Sequence, residues 1–509
     1  MAGITRRDFL KTFPLLPILK VGWPYIRSTL PSLQSGAEPN IVFLIFDTLS
    51  ARHMSLYGYQ RETTSNLARF AEKATVFHNH YATANFTSPG TASILTGTYP
   101  WSHRAFHLHD TVSQEYVERN IFSQLPQNYY KVGYTHNLLV FSLLHQFRDK
   151  LDILKQTRDL CLYDLEMADK LFLNDYSSAF WSEWLFLRGG AEPPGSLYLS
   201  LLDRGRRFVS KRNVTQLHGE LFPRGIPNLH SLAFLLEDAI DWIGQQVTSL
   251  PQPFFSYFHL LPPHEPYMAR RDFVDVFADG WRPIAKEPHF SSEGHTQQFL
   301  NRQRREYDEY LAYTDAEFGR LYNTLKRSGI LENTYFVLTS DHGELFERGI
   351  RGHVTITLYD PIVHVPLLIA KPGQTERIDV FDQTSCVDLL PTFLQVTGQP
   401  IPTWCEGTLL PSFSERAIDT NRSIFSVEAK SNPKQTALNK FTIAMTKGTY
   451  KLIRYGGYEK QDKEYELYNL AADPNELNNL YLSENTIATQ MQEELDSRLK
   501  DVNDPYLRV

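Results

Sequence analysis

Asn40-Ile41-Val42-Phe43-Leu44-Ile45-Phe46-Asp47 is six apolar side chains in an unbroken run, closed by a carboxylate. A strand that is apolar on both faces, rather than alternately, is covered on both faces, as in a parallel sheet between helices. The residue just past such a strand stands at its carboxyl end, where the ligand crevice of an open parallel sheet lies. Asp47 is therefore a candidate ligand for a hard cation. On its own, a carboxylate in that place is more often a turn former or a cap.

Outward from this run, short apolar strands alternate with amphipathic helices. Ser65–Ala74 is a short helix with Leu67, Phe70 and Ala71 on one face, and Leu232–Val247 has apolar residues at helical spacing before a strand at Pro253–Leu260. Tyr307–Ser328 carries Leu311, Phe318, Leu321 and Leu325 along one stripe. Gly329 stops it, and strands come next at Thr334–Thr339 and Val365–Ala370. The alternation predicts an α/β fold, a mainly parallel sheet between helices. The end of the chain differs. Phe441–Met445 and Tyr450–Arg454 flank a Lys447-Gly448 turn, another strand lies at Glu466–Leu470, and a helix closes at Ile487–Leu499.

The expected organisation is a leader over residues 1–38, a catalytic domain over 39–414 and a small antiparallel α+β subdomain over 415–509. The stretch from about 141 to 224 has no assigned element. It is rich in aromatics (Phe180, Trp181, Trp184, Phe186), is broken at Gly189-Gly190 and Pro193-Pro194, and is expected to pack into the core rather than form a lid or meet lipid.

With 509 residues, 42% of them hydrophobic and 13% aromatic, the chain is neither disordered, collagenous nor a small disulfide scaffold. Its 51 basic and 58 acidic residues give a net charge of −7, and with no basic stripe nucleic acid is not an expected partner. No long uncharged apolar run predicts a spanning helix. Cys161, Cys386 and Cys405 have no metal-type spacing, and their odd number leaves at least one thiol free. A Cys386–Cys405 disulfide is the alternative to buried, inert thiols. Near the amino end, Ile4-Thr5-Arg6-Arg7-Asp8-Phe9-Leu10-Lys11 precedes the apolar stretch Phe13–Leu19 and resembles a twin-arginine export signal. That resemblance implies the export machinery as a partner and a periplasmic or other extracytoplasmic location. Cleavage and retention as a membrane anchor both stay open.

Three further segments carry chemistry. In Asn85-Phe86-Thr87-Ser88-Pro89-Gly90-Thr91, a loop of small residues leads into a helix with proline near its start. A hydroxyl there meets free backbone N–H groups and the positive end of the helix, so an anionic ester could dock; the bland alternative is an N-cap. Thr339-Ser340-Asp341-His342-Gly343-Glu344 ends another strand and offers one oxygen and one imidazole nitrogen to a single cation. His264, in Pro262-Pro263-His264-Glu265-Pro266-Tyr267, and His353 after Gly352 each come after a strand of the same kind. Among 17 histidines, any one is more often structural than catalytic.

Taken in order, Asn40–Asp47 with Tyr57-Gly58-Tyr59, Ser88–Pro100, Pro263–Tyr267, Tyr307–Glu344 and Gly352–Pro366 resemble the sulfatase family of the alkaline phosphatase superfamily. Val387–Thr392, Gly448–Ile453 and Glu466–Leu470 with Asp473-Pro474 extend the resemblance from about residue 39 to the end, apart from the aromatic stretch. It implies Asp47, Asp341 and His342 as ligands of one divalent ion, Mn, Zn, Mg or Ca. It implies Thr87 as nucleophile and further ligand, and His264 and His353 at the ester and its leaving group. Ser88 and Thr91 are candidate substrate-binding hydroxyls. The departures are specific. Family sulfatases carry a Cys or Ser converted to formylglycine, with Pro two residues on and Arg four residues on. Here the positions hold Thr87, Pro89 and Thr91, and Thr48 replaces the usual second acidic residue. Threonine cannot become an aldehyde. The expected function is a metal-dependent hydrolase or transferase of phosphate esters or diesters, on a small-molecule, lipid or glycan substrate. The alternatives are a sulfuric ester hydrolase and a non-catalytic exported binding protein.

Overall fold

Ile41, Phe43 and Ile45 face one hydrophobic core while Val42, Leu44 and Phe46 face another, so the opening strand is buried on both sides as its composition predicts. The computed structural model describes residues 38–164, 176–188, 193–229, 232–414, 421–459 and 464–507. The expected leader, apart from Glu38, and the Gly189-Gly190 break lie outside them. Residues Glu38–Val509 form one compact unit.

Its centre is an eight-stranded sheet. In chain order the strands are β1 (Asn40–Phe46), β2 (Thr75–Tyr81), β3 (Tyr130–Thr135), β4 (Ile153–Leu154), β5 (Phe254–Leu260), β6 (Thr334–Thr339), β7 (Leu367–Ala370) and β8 (Ile378–Ser385). Across the sheet they run β8-β2-β7-β6-β1-β5-β3-β4. Every pairing is parallel except those of β7, which lies antiparallel to both β2 and β6. The sheet is mixed and mainly parallel, as expected of the fold class; an apolar run as short as Leu367–Ala370 carries no sign of its direction.

Helices cover both faces. The main ones are α1 (Ser65–Ala71), α2 (Thr87–Thr96), α3 (Leu138–Gln146), α4 (Tyr176–Glu183), α5 (Leu197–His218), α6 (Leu236–Val247), α7 (Gln297–Ser328), α8 (Leu389–Val396) and α9 (Asn485–Leu507). α1, α6 and α7 pack on one face, and α2, α3 and α8 on the other. Several boundaries differ from the sequence expectation. α7 begins ten residues before Tyr307, capped by the Thr296 side chain. Its first turns bury Gln303 and Arg304, held by polar contacts that a hydrophobic stripe does not record. Leu232–Phe234 is a strand rather than the first turn of α6, because it pairs with Cys161–Asp164 in a small outlying sheet. α1 stops at Ala71, β7 starts only at Leu367, and the closing helix is longer at both ends.

All three cysteines are free thiols. Cys405 lies against Gly97 and Cys386 against His80, so the open disulfide is not formed. The aromatic stretch is only partly in the core. Leu187, Val214 and Phe222 are buried, but Trp181, Leu185 and Phe186 are exposed, because α4 and α5 are added outside the two helix layers.

Toward the end of the chain, Ser423–Glu428, Phe441–Lys447, Tyr450–Gly456 and Tyr465–Asn469 form a four-stranded antiparallel sheet, with α9 packed on it through Met491 and Leu495. This sheet is tied to the rest by buried charge. Lys451 Nζ lies 2.8 Å from Glu476 Oε1 and 3.5 Å from Asp360 Oδ1, and Asp360 also pairs with Arg52 at 2.6 Å. Lys451 is fully buried.

Candidate active site

Parallel register sets the site. Phe46 lies beside Leu260, Ile45 beside Thr339, and Thr135 beside His259, so the loops after β1, β3, β5 and β6 leave the sheet at one edge. Asp47, Asn137, His264 and the Asp341-His342 pair are on those loops. α2 starts at the same edge with Thr87, after an extended Phe86. Its approach depends on a missing side chain: a Cβ on Gly90 would stand 2.6 Å from the Asp341 carbonyl oxygen.

Asp47, Asp341 and His342 are fully buried and bring one ligand atom each within 4.8 Å of one another. His342 Nε2 is 3.5 Å from Asp47 Oδ1, 3.5 Å from Asp341 Oδ2 and 3.3 Å from Thr87 Oγ1. Its Nδ1 lies 3.0 Å from the Gly343 carbonyl; donation there leaves Nε2 as the free lone pair, the tautomer a metal ligand needs. Burial first, then His353, holds this imidazole well below its ordinary pKa and so neutral.

The two carboxylates report a missing counter-charge. Burial, and then Asp47, pushes Asp341 well above the usual carboxylate range. Asp47 is held below it. Burial alone would raise it, but the imidazoles of His264, His259 and His342 outweigh burial. Asp47 Oδ1 and Asp341 Oδ2 have no hydrogen-bond partner despite full burial. Two adjacent buried carboxylates with orphaned oxygens, beside a neutral imidazole and a hydroxyl, are a donor set that fits one divalent cation.

The flanking histidines are differently tuned. His264 is raised, because Asp47, Glu344 and the Glu265 carbonyl outweigh its burial. Its Nδ1 lies 2.6 Å from that carbonyl oxygen. His353 is pushed down to about 3 by burial and then by His264. Its Nδ1 is hydrogen-bonded to Glu344 Oε1 at 3.1 Å, and burial pushes Glu344 up to about 8. The His353 ring sits 4.5 Å from that of His342 and 4.9 Å from that of His264. Asn85 Nδ2 steadies this loop by donating to the carbonyls of His353 and Thr355 at 2.9 and 2.6 Å.

Thr87, His264 and His353 line a cleft of about 300 Å³. Ser88 and Thr91 are also buried on α2, with unpartnered hydroxyls, but neither lines this cleft. Two residues that sequence reasoning passed over complete the cluster. Asn137 Nδ2 donates to Asp47 Oδ2 at 2.5 Å and reaches to 3.5 Å from Thr87 Oγ1. His259 Nε2 lies 3.4 Å from Asp47 Oδ2 and 3.7 Å from Asp341 Oδ2. The available signal was a polar residue near the end of an apolar strand for His259, and for Asn137 a helix cap just after β3.

Comparison with known proteins agrees with this geometry. The sulfatase family matches residues 39–399, and the C-terminal family of N-sulphoglucosamine sulphohydrolase matches residues 355–504. The chain is 23% identical to the choline-sulfatase of Rhizobium meliloti over 471 residues, covering 87% of this chain and 82% of that one. It is 26% identical to bovine arylsulfatase K over 291 residues, spanning about half of either chain (51% and 53%). Among solved structures it resembles the phosphonate monoester hydrolase of Silicibacter pomeroyi, with TM-score 0.62, 21% identity, and 91% and 96% of the two chains covered. With 361 of its 509 residues inside the family match, the chain belongs to the sulfatase family, as a sulfatase-like hydrolase of the alkaline phosphatase superfamily.

Proposed function

We propose that the protein cleaves or transfers phosphate esters or diesters with the Thr87 hydroxyl as nucleophile. The observation that carries this is the placement of Thr87 Oγ1 at the start of α2, 3.3 Å from His342 Nε2 inside the Asp47–Asp341–His342 cluster, where none of the three cysteines lies. Asp47, Asp341 and His342 would hold a divalent ion, which when bound would supply positive charge to lower the hydroxyl pKa and neutralise the anionic oxygens of the ester.

The residues do the rest. As the bond from Thr87 Oγ1 to phosphorus forms and the hydroxyl proton passes to solvent, the bond from phosphorus to the leaving oxygen breaks. His264, whose pKa Asp47 and Glu344 raise above its ordinary value against its burial, gives a proton to that oxygen. The neutral imidazole then takes a proton from water or an acceptor alcohol, whose oxygen bonds to phosphorus as the bond to Thr87 Oγ1 breaks, and Thr87 regains its proton from solvent. Asn137 fixes Asp47 and lies beside the attacking oxygen. Phe86, Leu108, Leu138, Leu139, Leu229 and Val354 give the cleft an apolar mouth, and among the described residues its lining holds Glu265 but no Lys or Arg, which suits an ester bearing an aryl or acyl group better than a polyanionic glycan.

Trapping tests this directly. Wild-type protein quenched during turnover of an aryl phosphodiester should carry on Thr87 the phosphoryl group with its remaining ester substituent, and Thr87→Ala should lose turnover by about three orders of magnitude. Unchanged turnover in Thr87→Ala removes Thr87 as nucleophile. The second reading, sulfate ester hydrolysis, is favoured by the family match itself. Faster turnover of an aryl sulfate than of the phosphonate and phosphodiester analogues would establish it. Export through residues 1–38 belongs to the same proposal and is read by fusing that segment to a reporter active only outside the cytoplasm.

A further inference from the structure

α5 is turned inside out for a surface helix. The residues it presents inward are Ser200, Asp203, Arg207, Ser210 and Val214, with Asp203 paired to Arg206 and Arg207. Its outward residues are Leu197, Tyr198, Leu201, Leu202, Phe208 and Val209, each between 55% and 72% exposed. At the α-helical turn angle these six fall within an arc of roughly 140°. Arg204 and Lys211 border that arc, and Arg212 continues it one turn past Phe208; all three are exposed and make no ion pair with a described residue. Leu185 and Phe186 are exposed beside α5, on the segment just after α4. Among the described residues no helix is long and apolar enough to cross a membrane.

An exposed apolar stripe with a basic margin, on a chain of net charge −7, fits one partner chemically. Apolar side chains enter the acyl boundary of a bilayer while flanking Arg and Lys meet anionic headgroups. A second copy of the chain fits less well, because a two-fold contact through this stripe would set its basic margins against each other. The neighbouring α4 lies near the cleft. Trp181 of α4 is in ring contact with the cleft residue His109, and Ala179 packs by Leu138.

We infer that the exposed face of α5, with the segment after α4, is a docking surface for the interface of an anionic lipid membrane. It holds whether or not the chemistry assigned to Thr87 is correct, and the two are tested by different readouts. Full-length protein is sedimented with vesicles of phosphatidylcholine containing 30% phosphatidylglycerol (an amount we choose as roughly that of a strongly anionic surface) and with pure phosphatidylcholine. The wild type should bind the anionic vesicles, and salt should weaken the binding. R204Q/K211Q/R212Q should lower the partition coefficient by about fivefold for each charge removed, and Y198S/F208S should abolish binding. Both variants should turn over a soluble substrate as the wild type does. All share residues 1–38, so any contribution of that segment is common to them. Wild-type binding that both variants retain, or no preference for anionic vesicles, overturns the inference. So does a concentration-dependent dimer, without vesicle binding, that Y198S/F208S dissolves; that result gives the face to self-association.

Discussion

Gly90→Ala probes how α2 delivers Thr87. The glycine is helical and its φ is not positive, so alanine is acceptable to the backbone and adds about 1 kcal/mol of helix propensity. The obstacle is spatial. The new methyl would stand 2.6 Å from the Asp341 carbonyl oxygen, where ordinary contact begins at 3.4 Å, and the opposing atom is backbone in the loop that carries two candidate ligands. Either the start of α2 or that loop must retreat by about 0.8 Å, carrying Thr87 Oγ1 out of its 3.3 Å approach to His342. A displacement near 1 Å costs about a hundredfold in rate, close to 2.7 kcal/mol of transition-state stabilisation. Overpacking costs about 1–3 kcal/mol and is partly offset by the propensity gain, so unfolding should move little. The assay is kcat/KM on an aryl phosphodiester or phosphonate beside the urea unfolding midpoint. Activity within threefold of wild type at unchanged stability would refute the argument that this contact sets the nucleophile.

Asn137→Ala should lower activity about 10- to 100-fold, the usual loss when a group orienting a ligand is removed, with a circular dichroism spectrum like wild type; an unaffected rate would detach Asn137 from the site. Lys451→Met leaves Asp360 and Glu476 buried with less compensation and should cost about 3–5 kcal/mol in urea unfolding; a loss under about 1 kcal/mol would contradict the burial of this network. Asp315 accepts hydrogen bonds from the backbone of Asn66 and Leu67 at the start of α1, yet burial pushes it up to about 6 from 3.8. A raised carboxylate binds its proton more tightly when folded. Its contribution is therefore complete below pH 3.8 and is lost as pH rises toward about 6, by about 3 kcal/mol. The stability difference between wild type and Asp315→Asn, measured from pH 4 to 6.5, should drift by about 2 kcal/mol in that direction; a flat difference would refute it.

Much of the site was legible because its residues sit at element ends. Asp47, Asp341 and His342 close apolar strands, and Thr87 opens a helix marked by Pro89. Asn137 was not, because β3 contains Lys131, Gly133 and Thr135 and has no continuous apolar run to mark its end. His259 lies within a strand, and its only signal was a polar residue near the end of an apolar run, too weak beside the element ends to single it out. The same blindness to buried polar groups shortened α7 at Gln303 and Arg304. The aromatic stretch misled in the opposite sense: Trp and Phe suggested a core that α4 and α5 only partly supply. The direction of β7 was not legible at all, since a four-residue apolar strand pairs equally well either way.

The Lys451 network has an evolutionary reading. Asp360 takes its counter-charges from Arg52 near the start of the chain and from Lys451 near its end, so the antiparallel sheet cannot be grafted, swapped or cut away as a cassette. A recombinant that exchanged this segment with a relative would leave the buried Asp360 with Arg52 alone unless the incoming segment carried its own lysine. The strand that carries Lys451 and the short stretch that carries Asp360 are therefore constrained to change together.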